Sequence, residues 1–485
     1  MARSTTMASA ALLVASNRGP LSFTESDDGT LVARRGGGGL VSGLSTVGRT
    51  TDTVWVCAAL SDADRAAARQ APRGRLDEHG HDTGGSAVRM LDIPPATFSR
   101  AYNAVANSTL WFVHHLLYAT PVSPSFGSQF RREWESYRDY NRAFAVALAE
   151  EAAEGAKVLV QDYHLTLVPW QLREMRPDLR IAHFSHTPWA PPDYFEVLPR
   201  NVATEVLRGL LGADHAGFHS RRWTDAFAAC CARLLGAKVD PDGTSVTYDG
   251  HTTVLGVHAL GVDPDEIRER SWRDDVQLRR SSLLEQVKGL RTIVRIDRTE
   301  LSKNIARGMQ AYAELLRTRP EWRERVVLVA FAYPSRHDLP EYREYTALVQ
   351  RIAVEIDGEF GTESWRPVLL QVDDDYARSL AAYRIADVLL VNPLRDGMNL
   401  VAKEGPVVSE RGCALVLSTQ AGAADELGDV ALLVNPFDIS GTAEALHTAL
   451  TMPDDERAGR SRRLAAAATR LTPQEWFAEQ VAALG

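Results

Sequence analysis

Four short runs carry residues able to do chemistry, and three of them follow a short apolar stretch. The sharpest is Asn392-Pro393-Leu394-Arg395-Asp396-Gly397-Met398-Asn399-Leu400-Val401-Ala402-Lys403-Glu404. Pro393 and Gly397 place a turn after a strand ending at Asn392, and a helix is predicted to begin near Asn399. The N–H groups of its first turn lack partners inside the helix and, with the helix dipole, form an anion site. Glu404, one turn further on, is placed to accept hydrogen bonds from neutral hydroxyls such as those of a ribose. The simpler alternative is a plain β–α turn with Asp396 as its cap.

The other three runs are less specific. Arg34-Arg35 precede Gly36-Gly37-Gly38-Gly39, glycines that allow backbone to approach a ligand closely. That run matches neither G-x-G-x-x-G nor a P-loop, and a flexible loop explains it equally well. Arg298 and Lys303 lie five apart in Arg295-Ile296-Asp297-Arg298-Thr299-Glu300-Leu301-Ser302-Lys303, read as an irregular loop after a strand. Two cations there suit a diphosphate, one bidentate and one as a point charge. Arg18 and Arg336 also follow strands. The last run pairs Gln161-Asp162-Tyr163-His164 with His183-Phe184-Ser185-His186-Thr187-Pro188. Its Asp and His could hold hydroxyls or exchange protons. A zinc site fails on ligand count and on the missing H-E-x-x-H. His183 reads as core, and His79 and His81 as loop.

The elements that must position these residues alternate along the chain. Buried strands are predicted at Ala11–Ala15, Val54–Cys57, Val158–Gln161, Ile181–Ser185, Ala216–His219, Ile293–Ile296, Val326–Phe331, Val368–Gln371, Val388–Asn392, Ala414–Ser418 and Ala431–Val434. Helical patterns separate them, among them Glu133–Ala153, Asn304–Arg317 and Leu400–Glu410. Strands apolar at nearly every position imply a parallel sheet covered on both faces. Turn signals at Pro241-Asp242-Gly243 and Tyr248-Asp249-Gly250, then the polar segment Asp263–Gln286, divide the chain into two doubly wound domains joined near 258–265. Ligands of such sheets bind outside the carboxyl ends of the strands.

Composition sets bounds on function. The chain has 485 residues, 45% hydrophobic and 24% charged, with a net charge of −9. This is a globular balance, and it argues against nucleic acid as a partner. The four cysteines show no metal or disulfide spacing and read as buried thiols in a cytoplasmic protein. No apolar stretch is long enough to span a membrane. Met7–Ala15 after Arg3 resembles a short signal peptide, but Ala11–Ala15 reads better as the first strand.

Together these segments resemble the trehalose-6-phosphate synthase family, retaining sugar-nucleotide glucosyltransferases of GT-B fold, from about Leu12 to Leu484. Arg395–Glu404 matches the family's most specific motif without a change. Further matches are Ser16-Asn17-Arg18, Gly38-Gly39-Leu40, Asp162-Tyr163-His164-Leu165, His186-Thr187-Pro188-Trp189, Leu260-Gly261-Val262-Asp263 and Ser335-Arg336, with Tyr102 and Trp111 as an aromatic pair. The resemblance implies an α/β fold of two doubly wound Rossmann-like domains facing a central cleft. Residues 1–260 would form the acceptor side and 261–470 the donor side, with 471–485 a helix crossing back to the first domain.

The resemblance also implies roles. Arg18, Tyr102 and Arg336 would bind the phosphate of glucose 6-phosphate, Trp111 its sugar and Asp162 its hydroxyls. His186 would contact the donor glucose. Gly38 and Gly39 would approach the donor diphosphate, and Arg298 and Lys303 would neutralise it as it leaves. Asp396, Gly397, Met398 and Asn399 would hold donor hydroxyls and phosphate. Leu400, Val401 and Glu404 would line the nucleotide side, with Glu404 on the ribose. Asp162, His186, Arg298, Lys303 and Asp396 would be the catalytic set. The expected partners are a nucleotide-glucose and glucose 6-phosphate, without metal or other cofactor; a homo-oligomer is compatible with the sequence. Three positions depart from the family pattern: Gln161 replaces a histidine, Glu300 and Asn304 alter the cationic loop, and Ala58 stands where an aromatic is common. The donor base is left open between uracil and guanine. Rival expectations are a pseudo-glycosyltransferase coupling cyclitols, a non-catalytic trehalose-6-phosphate sensor and an NAD-dependent oxidoreductase.

Overall fold

The computed structural model describes residues 10–35, 53–83, 85–336 and 339–485. They form two compact units, one drawn from Met1–Ala259 and Pro473–Gly485, the other from Leu260–Thr472.

The strands of the first unit are β1 (Ala10–Ser16), β2 (Leu21–Glu25), β3 (Leu31–Arg35), β4 (Thr53–Ala58), β5 (Ala87–Leu91), β6 (Ala152–Gln161), β7 (Arg180–Ser185), β8 (His215–Phe218), β9 (Lys238–Val239), β10 (Ser245–Tyr248) and β11 (His251–Val257). Nine of them make one sheet in the order β5-β4-β1-β6-β7-β8-β11-β10-β9. From β5 to β11 every neighbouring pair is parallel, Ala15 lying beside Val56 on one side and Val160 on the other. Such pairing needs strands buried on both faces, and every residue of β4 is buried.

Two turn signals have a different meaning from the one expected. Pro241–Gly243 and Asp249–Gly250 close the antiparallel hairpins of β9, β10 and β11, inside the first unit. The polar segment Asp263–Gln286 is likewise not a linker. It forms two helices, Pro264–Ser271 and Asp274–Val287. The first is capped by Asp263, whose carboxylate accepts from the N–H groups of Asp265 and Glu266, so a charged surface and a stable helix coexist.

The second unit contains β12 (Arg291–Arg298), β13 (Val326–Tyr333), β14 (Val368–Gln371), β15 (Val388–Val391), β16 (Ala414–Ser418) and β17 (Leu432–Val434). They form one wholly parallel sheet, β14-β13-β12-β15-β16-β17. Ile293, Leu328, Leu390 and Val416 pack with Met309, Tyr312, Leu316 and Leu446 from flanking helices. Each such aliphatic side chain stabilises the fold by about 1.5–3 kcal/mol on burial.

Both sheets wind outward from a central strand, then return to its other side. The reversal falls between β1 and β6 in the first unit and between β12 and β15 in the second. Adjacent loops diverge there and leave a crevice beyond the strand ends. The helix Pro473–Ala482 belongs to the first unit, with Trp476 and Phe477 buried and the Trp476 indole donating to the carbonyl of His258 (3.1 Å). The four cysteines are buried and unpaired. Among the described residues no helix is long and apolar enough to cross a membrane.

Candidate active site

In the first unit Ser16-Asn17-Arg18, at the end of β1, and Asp162-Tyr163-His164, after β6, lie at the reversal point. The first turn is tied down: the Trp55 indole donates to Ser16 Oγ (2.7 Å), which donates to the carbonyl of Arg18 (2.7 Å). The Tyr140 hydroxyl donates to Asn17 Oδ1 (2.5 Å), and the Ala58 N–H to the Asn17 carbonyl (3.2 Å). Arg18 itself is exposed. Asp162 has a φ of 74°, its carboxylate accepts from the Tyr163 N–H (2.9 Å), and His164 lies 3.9 Å away.

Aromatic rings continue from there. Tyr102 stacks on His164 with centroids 5.4 Å apart, and Trp111 stacks on His115 at 3.9 Å. The Tyr163 hydroxyl donates to Asn107 Oδ1 (2.8 Å). His186 follows β7, and burial, with His183 nearby, pushes its pKa down to about 3. Its ring is therefore neutral at ordinary pH. Of the expected residues of this unit, Gly38 and Gly39 lie outside the described residues.

The second unit brings together Arg298 and Lys303, after β12, and the Asp396–Glu404 segment, after β15. The Arg298–Lys303 stretch is more ordered than the irregular loop expected: Leu301–Lys303 forms a 3-10 turn. Asn304 ends that turn in the left-handed region (φ 56°), a conformation favouring glycine or asparagine. Its amide donates to the carbonyls of Asn392 (3.0 Å) and Pro436 (2.8 Å). The departure at this position therefore keeps the turn and pins it to its neighbours.

Lys303 reaches Asp396, Nζ to Oδ2 being 2.6 Å. Asn399 Nδ2 donates to the same oxygen (3.1 Å), while Asn399 Oδ1 accepts from the N–H of Ala402 (3.2 Å). Asn399, at φ 84° and one residue before the N-cap Leu400, thus bonds the first turn of the helix Val401–Val408, and Asp396 is not its cap as the simpler reading had it. Asp396 is left for the cation. The segment is held by close backbone approach: a Cβ on Gly422 would lie 1.9 Å from the Gly397 carbonyl oxygen. The Ala423 N–H donates to the carbonyl of Met398 (2.8 Å). Met398 is buried, Leu400 and Val401 half-buried. Glu404 accepts from the Tyr383 hydroxyl (3.2 Å), and burial lifts its carboxyl pKa to about 7.

Glu300 organises the remaining cations. It is fully buried, with Arg298 Nη2 3.2 Å and Ser335 Oγ 3.0 Å from its Oε1. Burial pushes its pKa up, but Arg298, Arg336 and Lys303 outweigh that and hold it at about 2. Arg336, at φ 45°, donates to the Tyr342 hydroxyl (2.7 Å). Beneath the turn, fully buried Arg295 donates to Asp297 (2.7 Å), Asn392 Oδ1 (3.2 Å) and the Lys303 carbonyl (3.2 Å). Asp162, Asn304, Arg336 and Asn399 are all non-glycine residues at positive φ. Each costs about 1–3 kcal/mol, strain that persists where surrounding contacts over-determine the backbone.

The roles of Glu300 and Arg295 were missed from the sequence. The available signal was Arg295 and Asp297 interleaved with the apolar Ile293, Val294 and Ile296, a pattern that demands buried partners. Among the described residues no three metal-ligating side chains gather.

Two doubly wound units, with polar and charged groups beyond the strand ends at each reversal point, make up the architecture of the GT-B glycosyltransferases. The chain belongs to glycosyltransferase family 20, whose sequence profile matches residues 10–485. It is 34% identical over 455 residues to the UDP-forming alpha,alpha-trehalose-phosphate synthase of Emericella nidulans, covering 92% of this chain and 86% of that one. With the Schizosaccharomyces pombe enzyme of the same name it shares 33% over 473 residues, covering 96% and 88%. The solved UDP-forming synthase of Burkholderia vietnamiensis superposes with a TM-score of 0.82 at 29% identity, covering 98% of this chain and 99% of that one.

Proposed function

We propose that this protein transfers glucose, with retention, from a nucleotide-glucose to glucose 6-phosphate, forming α,α-trehalose 6-phosphate, and that its donor is UDP-glucose, as in the names of its relatives. The observation that carries this reading is the Lys303–Asp396–Asn399 cluster at the reversal point of the second unit. It offers a cation for a phosphate from the turn after β12, and a carboxylate and an amide for hydroxyls with a helix N-terminus from the segment after β15.

Residues 1–260 hold chiefly the acceptor and 261–470 chiefly the donor; Arg336 binds the acceptor phosphate together with Arg18 and Tyr102, and Gly38, Gly39 and His186 serve the donor. Trp111 lies against the acceptor sugar, and Asp162 takes its hydroxyls. His186, Asp396, Gly397, Met398 and Asn399 hold the donor glucose and its phosphate. Gly38 and Gly39 approach the diphosphate. Leu400 and Val401 lie along the nucleotide, and Glu404 accepts from its ribose. As the glucosyl–phosphate bond breaks, negative charge grows on the diphosphate. Arg298 and Lys303 are fixed cations for that charge, and such preorganised groups act on the transition state more than on the bound substrate. The leaving phosphate takes the proton of the attacking hydroxyl on the same face of the sugar. The acceptor's own phosphate supplies the binding energy that orients that hydroxyl.

The test is purified protein with glucose 6-phosphate and a panel of UDP-, GDP- and ADP-glucose, with product identified by mass and anomeric configuration. Trehalose 6-phosphate with UDP release is expected. No such product from any donor overturns the reading, and a strong preference for GDP-glucose overturns its donor part.

A further inference from the structure

Gln161 closes β6 and Gln480 lies on the helix Pro473–Ala482. Each is only 1% exposed, so both amides must be satisfied inside the protein. Their orientation is forced from one end. Gln480 Nε2 donates to the main-chain carbonyl of Trp476 (3.3 Å). A carbonyl oxygen can only accept, so Gln480 must turn its Oε1 the other way, toward Gln161 Nε2 (3.3 Å). Gln161 then has only its Oε1 to offer His186, whose Nε2 is 3.0 Å away. The reverse orientation would set oxygen lone pairs face to face at Trp476 with no proton between them. An oxygen facing Nε2 requires a proton on that nitrogen, which in a neutral ring leaves Nδ1 bare. Burial keeps the ring neutral. The rings packed around it are those of Phe184, His219 and Trp476, the last on the same terminal helix.

We propose that Gln161 and Gln480 are positioning residues that lock His186 in its Nε2–H tautomer, so that Nδ1 faces the donor glucose as a hydrogen-bond acceptor. The functional half rests on the assignment of His186 to the donor sugar; the tautomer does not. The terminal helix thereby sets the chemistry of a ring far away in the sequence.

The experiment reads histidine tautomers from long-range 15N–1H correlations in labelled protein, with a His186→Gln variant identifying the His186 signals. Wild type should show a protonated Nε2. Gln480→Met keeps the volume and removes both polar atoms; Gln161 is then free to turn, and His186 should become a tautomer mixture. The donor KM should rise by about three- to tenfold, the loss of one neutral hydrogen bond, with the acceptor KM unchanged. Gln480→Glu, held protonated by burial, still donates to Trp476 and accepts from Gln161, so it should restore both tautomer and donor KM. A packing role alone predicts the opposite ranking, Met tolerated and Glu not. A protonated Nδ1 in wild type, or an unchanged tautomer in Gln480→Met, overturns the proposal. If the tautomers behave as stated but wild type makes no trehalose 6-phosphate from any donor, the relay stands and the functional reading falls.

Discussion

The reversal points of the two sheets share a topology and differ in chemistry. In the first unit the rings of Tyr102, Tyr163 and His164 gather beside the Asp162 carboxylate, with Trp111 stacked on His115 next to them. In the second, Arg298, Lys303 and Arg336 are interleaved with Glu300 and Asp396. The strand order supplies only a place where loops part; what can bind there is decided by side chains. Ring faces suit the apolar face of a pyranose, and exchangeable ion pairs suit phosphates.

The largest expected effect tests the charged side of that contrast. Lys303→Ala should lower turnover by about 100- to 1,000-fold, because its partner charge grows in the transition state. Steady-state kinetics with each substrate varied in turn would show it. A loss confined to the acceptor KM would break the division between the units. Arg298 and Arg336 sharpen it further, since both flank Glu300. Arg298→Ala should act mainly on turnover. Arg336→Ala should weaken glucose 6-phosphate by roughly 1.5–3 kcal/mol, one charged hydrogen bond, with the donor KM unchanged.

Glu404 gives a smaller, pH-dependent effect. With a pKa of about 7, its carboxylate is increasingly protonated below neutrality and accepts ribose hydroxyls less well. The donor KM should rise as pH falls from 8 to about 6, and Glu404→Gln should flatten that limb. The stability sign is opposite. Because the folded pKa lies above the usual 4.5, ionising Glu404 costs stability as pH rises from 4.5 towards 7. Glu404→Gln should therefore raise the melting temperature at pH 8 and change it least near pH 4. The smallest effect is expected of Asn304→Gly, which keeps the left-handed turn but loses two amide bonds. A stability loss of about 1–2 kcal/mol in urea unfolding is expected, with little change in either KM.

Most of the parallel strands were legible because burial on both faces leaves an apolar run that no other element of that length explains. Val326–Phe331 and Ala414–Ser418 are clear cases; Ala87–Leu91, with Arg89 at its centre, was missed. The antiparallel edge, Ser245–Tyr248 and His251–Val257, was not, because strands with one wet face look like turn-bounded loops when threonine and tyrosine alternate with valine. The charge of Asp263–Gln286 masked its two helices, the first of which Asp263 caps. Within the site, the residue types and their positions after strands were legible, but their pairing was not. Lys303 and Asp396 are 93 residues apart, and only the adjacency of β12 and β15 brings them within 2.6 Å. The role of Glu300 was hidden for the same reason: its partners Arg298 and Ser335 end different strands.

The placement of buried Glu300 and half-buried Asp396 among three cations also bears on how ligands arrive. The cluster neutralises most of its own charge, within a chain of net charge −9. Its field therefore extends little beyond the roughly 8 Å over which salt screens in any case. An anionic sugar nucleotide is then not drawn in from afar by this cluster. On the proposed assignment of Lys303 to the donor diphosphate, capture is a local exchange in which a phosphate replaces Asp396 beside Lys303. An anion that cannot also engage the freed carboxylate through hydroxyls gains little from that exchange, so discrimination against inorganic phosphate falls on the dissociation rate.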